Sequence, residues 1–63
     1  MSAGEARRYI LRPKGAGFAA FAEPPLPDGT SEVETESFEL ARAKARLWRL
    51  EHSGSIIDES KAR

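Results

Sequence analysis

Ser37-Phe38-Glu39-Leu40-Ala41-Arg42-Ala43-Lys44-Ala45-Arg46-Leu47-Trp48-Arg49-Leu50-Glu51-His52-Ser53-Gly54 is the stretch that decides the fold. Its interior is made almost wholly of strong helix formers. Ser37 is a good N-cap, because its hydroxyl can accept an orphan N–H of the first turn. Glu39 follows in that turn, where the macrodipole favours a negative charge. Gly54 supplies the C-terminal stop. The pattern predicts a helix from Phe38 to about His52. At ~100° per residue it carries two apolar seams on roughly opposite sides. One is Leu40, Ala43, Leu47 and Leu50; the other is Phe38, Ala41, Ala45 and Trp48.

Upstream the apolar period changes from helical to alternating. Arg7 to Arg12 reads as a first strand, with Tyr9 and Leu11 on one side and Arg8, Ile10 and Arg12 on the other. Pro13-Lys14-Gly15-Ala16-Gly17 is turn chemistry, and Phe18 to Glu23 alternates as a second strand. Three of the four residues in Pro24-Pro25-Leu26-Pro27 lack a backbone donor, so this segment ends the strand and stays extended. Asp28-Gly29 turns the chain, and Glu32 to Glu36 forms a third strand with its glutamates on one face. That sheet must have a wet side. Ser55-Ile56-Ile57 either packs back on the core or adds an edge strand.

The expected fold is therefore α+β: a small three-stranded antiparallel sheet packed on one C-terminal helix, ββ(β)α. Residues 1–6 are expected to form a flexible N-terminus, 7–57 a single domain, and 58–63 a flexible tail. With 63 residues and no cysteine, the chain has neither disulfides nor thiolate metal ligands to brace it. A core of this size supplies only ~3–5 kcal/mol. No apolar run approaches the ~18 residues of a membrane span, and Met1-Ser2-Ala3-Gly4-Glu5 lacks the order of a signal peptide. No membrane association and a cytoplasmic location are expected.

Zero net charge conceals a segregation. Residues 1–22 hold four basic side chains against one acid, 23–39 six acids and no base, and 40–63 six bases against three acids. Such an order can pair within one small fold or present surfaces of opposite sign. Glu32, Glu34 and Glu36 make a candidate acidic recognition face, and Arg42, Arg46 and Arg49, close together on the helical wheel, make a candidate basic patch.

No residue set carries the marks of catalysis. Gly15-Ala16-Gly17 leads into a strand rather than the helix that a phosphate cradle needs. His52, the single histidine, sits in the last helical turn, where a cation suits the dipole. Ser53 and Ser55 beside it do not form a nucleophile elbow. The PxxP spacing of Pro24 to Pro27 is flanked by Glu23 and Asp28 and lacks a basic anchor, so it reads as a rigid bend. Neither cofactor nor metal is expected.

Gly17-Phe18-x-Ala20, then Pro27-Asp28-Gly29, then Phe38 entering a helix that stops at Gly54, is similar in spacing to the arm-type DNA-binding domain of tyrosine-recombinase integrases. The resemblance covers most of residues 7–57. It implies three strands followed by one helix, and DNA contact through a sheet rich in lysine and arginine. The matching strand here is Glu32-Val33-Glu34-Thr35-Glu36. Two functions follow as expectations. The first is a non-enzymatic protein-interaction module, such as a bacterial, phage or plasmid regulator or inhibitor. The alternative is a nucleic-acid-binding module using the arginines. A homodimer is expected through the seam Phe38, Ala41, Ala45 and Trp48, because one sheet covers only one side of a helix; the alternative is a monomer in which the proline segment, with Leu26, folds over that seam.

Overall fold

The computed structural model describes residues 7–60. The expected flexible segment 1–6 lies outside them, as do residues 61–63 of the expected tail. Four strands and one helix follow in the order β1 (Arg8–Lys14), β2 (Gly17–Glu23), β3 (Glu32–Thr35), α1 (Phe38–His52) and β4 (Ser55–Asp58). They form one mixed sheet, ordered β3-β2-β1-β4, with α1 packed across one face.

The sheet corrects the expectation of three antiparallel strands. β1, β2 and β3 are antiparallel neighbours, but β4 adds a fourth strand parallel to β1, pairing Tyr9 with Ile56 and Ile10 with Ile57. The direction follows from α1. The helix returns the chain to the end of the sheet where β1 begins, so the next strand leaves the same way as β1. Asp58, expected in a solvated tail, closes β4; Glu59 N–H then donates to the Leu11 carbonyl at 2.9 Å.

Alternation sorts the sheet into two faces. Tyr9, Leu11, Ala20 and Ala22 meet α1, where they form a buried cluster with Leu26, Ala41, Ala45 and Trp48. Phe18, Val33, Phe38 and Ile56 pack around it. The alanines of β2 and α1 let helix and sheet approach closely, and the aromatics close the two ends. Tyr9 and Trp48 lie 5.8 Å apart between ring centroids, and Phe18 meets Phe38 edge-on at 5.7 Å.

Two joints hold the helix. At its start, the Leu40 N–H donates to the Ser37 hydroxyl at 3.2 Å, as a Ser N-cap should. At its end, Ser53 and Gly54 take positive φ, and the Ser55 N–H donates to the Arg7 carbonyl at 3.1 Å. A β-carbon on Gly54 would lie 2.5 Å from that carbonyl oxygen. The buried Tyr9 hydroxyl donates to the Ser53 carbonyl at 2.6 Å, fastening the helix end to β1. Gly17 serves β3 likewise, since a β-carbon there would collide with the Thr35 carbonyl oxygen.

Candidate interaction surface

Folding consumes much of the charge segregation on the sheet face away from α1. Arg8 pairs with Glu23 at 3.2 Å and Arg12 with Glu59 at 2.7 Å. Lys14 bridges Glu32 and Glu34, the latter at 2.9 Å. The hydrogen bond to Glu59 and its charge raise the pKa of Arg12, and the hydrogen bonds that Lys14 donates to Glu32 and Glu34 raise that of Lys14. Arg12 also lies over the Phe21 ring, 5.3 Å from its centroid. Two of the three residues of the candidate acidic face, Glu32 and Glu34, are thus engaged by Lys14. Glu36 lies past the end of β3 and is exposed.

The seam expected at a dimer interface is in the core. Ala41, Ala45 and Trp48 are buried and Phe38 is half-buried, all facing the sheet. Leu26 joins that cluster from the proline segment, so the protein covers this seam from within. The segment itself is held by the Arg7 guanidinium, which donates to the carbonyls of Pro24 and Pro25 at 3.3 and 3.4 Å. The cause of the exchange is side-chain size. Ala41 and Ala45 pack in one cluster with Ala20 and Ala22 of the sheet, and the larger Trp48 reaches the Tyr9 ring.

The opposite seam is consequently the exposed one. Leu40, Leu47 and Leu50 are 54%, 47% and 83% exposed, and Ala43 is exposed between them. Arg42, Arg46 and Arg49 run along one flank, also exposed, and no ion pair engages them among the described residues. Glu39 lies toward the same flank, with Lys44 and Glu51 on the other. The leucine stripe was visible in the sequence. The signal for its exposure was the complementary size of the alanines in β2 and α1.

Among the described residues there is no cavity, no group of three or more His, Asp or Glu side chains placed to hold a metal, and no helix long and apolar enough to cross a membrane. His52 Nε2 lies 3.7 Å from a carboxylate oxygen of its neighbour Glu51. Gly15 turns the β1–β2 hairpin. Asp28 accepts the Thr30 N–H at 2.9 Å, and this bond lowers its pKa below the ordinary carboxylate value.

The class defined by these features is a small α+β protein: a four-stranded mixed sheet with one helix whose outer face is apolar and rimmed by charges of both signs. Comparison with family models, curated proteins and solved structures finds no match to the chain. The fourth, parallel strand departs from the three-strand-plus-helix order on which the integrase resemblance rests.

Proposed function

We propose that the chain is a small non-enzymatic protein-interaction module, a regulator or inhibitor acting by contact, and that its contact surface is the outer face of α1. The observation that carries this reading is the stripe of exposed Leu40, Leu47 and Leu50, while the other large apolar side chains among the described residues are at least partly covered. Contiguous apolar surface rimmed by polar groups marks interaction sites, and a helical stripe with steps of three and four is how helix-mediated contacts are read. A photo-crosslinking residue at position 47, introduced in the host cell, tests it. The expected result is a discrete protein adduct at 47 and none at position 16, in the β1–β2 turn. Absence of an adduct at 47, or the same adducts at both positions, refutes the reading.

Nucleic-acid binding through Arg42, Arg46 and Arg49 is the second reading. It draws support from their exposure without ion pairs among the described residues. The acidic residues left on the helix, Glu39 and Glu51, oppose it, as does the neutral chain. Fluorescence anisotropy with duplex and single strand, followed across salt, separates the two.

A further inference from the structure

We infer that the occupant of the outer α1 face is a second copy of this chain, docked helix against helix in antiparallel, twofold fashion. This rests on the interaction-surface reading and names its partner. The seam Leu40, Ala43, Leu47, Leu50 has heptad spacing, which presents one narrow line to a facing helix. In the antiparallel register Leu40 meets the partner's Leu50, and Ala43 meets the partner's Leu47. Every layer then sets side chains of compatible size against each other, and the small Ala43 receives a leucine. A parallel pair would set Ala43 against the partner's Ala43 and leave a gap. Opposed macrodipoles also favour the antiparallel pair.

The rim of the seam is self-complementary in this register. Same-side positions face each other across an antiparallel pair. Glu39 therefore lies beside the partner's Arg46 and Lys44 beside the partner's Glu51, each contact occurring twice by symmetry. Among the described residues, none of these four side chains is committed to a partner on another element: the ion pair of Glu51 is to its neighbour His52, and the pairs of β1 lie on the far face of the sheet. The seam runs about 15 Å, ten residues at the helical rise. An interface this short falls below the ~1,200 Å² of stable complexes, so the dissociation constant is expected at ~10 μM to ~1 mM.

Sedimentation equilibrium up to ~1 mM, with the helix content of each variant checked by circular dichroism, tests the inference. The wild type should rise from the 6.9 kDa monomer toward twice that mass. Leu47→Glu should remain folded and monomeric throughout. Lys44→Glu should weaken association about tenfold, because two symmetric attractive contacts become repulsive. Lys44→Glu with Glu51→Lys should restore it. In a parallel pair, Lys44 would face the partner's Glu39 and Glu51 the partner's Arg46, so the double change would weaken association further. A monomer at every concentration, a dimer indifferent to Leu47→Glu, or a double variant weaker than the single one overturns the inference. A position-47 adduct to a different protein, found together with a monomeric chain, overturns it while leaving the interaction-module reading intact; no adduct at all removes both.

Discussion

Removing one oxygen atom, by Tyr9→Phe, probes the joint on which the fourth strand depends. Tyr9 is fully buried, and its hydroxyl donates to the Ser53 carbonyl at 2.6 Å, with the Trp48 carbonyl 3.4 Å away. Ser53 is the residue at which α1 ends, and β4 begins two residues later. Phenylalanine keeps the ring contact with Trp48 and loses the donor. An intramolecular hydrogen bond is worth ~0.5–1.5 kcal/mol net, and leaving its acceptor unsatisfied costs ~1–3 kcal/mol. Ser53 is exposed, so water can reach its carbonyl, and the lower part of that range applies: about 1 kcal/mol. Against a total of ~3–5 kcal/mol for a domain of this size, the loss is a substantial fraction. It should lower Tm by roughly 4–8 °C. Thermal unfolding followed by circular dichroism and by the fluorescence of buried Trp48 measures it. Leu50→Ala, at a position 83% exposed, is the control and should stay within about 0.5 kcal/mol of the wild type. If Tyr9→Phe melts with the wild type, or no lower than the control, the joint does not hold as described.

Three further outcomes are expected. Gly54→Ala should destabilise by at least about 1 kcal/mol in urea titration, since the position combines φ +120° with a β-carbon 2.5 Å from the Arg7 carbonyl oxygen. Asp28 has a lowered folded pKa from the Thr30 N–H, so its contribution is present above the unfolded value and is lost as pH falls through the folded one. Asp28→Asn should therefore flatten the stability profile on the acid side and leave it unchanged in slope above neutral pH. Anisotropy at about 100 mM salt should show no nucleic-acid binding tighter than the ~10⁻⁴–10⁻⁶ M non-specific range, and tight binding that weakens steeply with salt would instead promote the arginine reading.

What could be read from the sequence was local. Ser37, Phe38 to His52 and Gly54 contain their own start, period and stop, and α1 spans the expected residues. The hairpin of β1 and β2 is set by alternation on both sides of a glycine turn, and the sides assigned to Tyr9 and Leu11 against Arg8, Ile10 and Arg12 agree with the register. β4 was harder because four residues are too few for a period, and its pairing with β1 joins positions far apart in the chain. The orientation of the helix was harder still. Both seams are apolar, and total hydrophobicity favours neither as the inner one. The sheet makes the choice by steric fit, since Ala20 and Ala22 offer a shallow floor that suits Ala41 and Ala45 and leaves the leucines outside. The charge segments show the same limit. Their capacity to pair internally is legible in the order of the charges, but that Lys14 holds Glu32 and Glu34 depends on the β1–β2–β3 order.

The claim that the outer face of α1 binds a second copy of this chain is tested most directly by amide chemical shifts recorded on dilution from ~1 mM to ~10 μM, which spans weak self-association. Shifts should move at Leu40, Ala43, Leu47 and Leu50 and at the flanking Glu39, Lys44, Arg46 and Glu51, while Ile10, Phe21 and Ile57 on the far face of the sheet stay fixed. Movement centred on those three sheet residues, or none anywhere, would contradict the account.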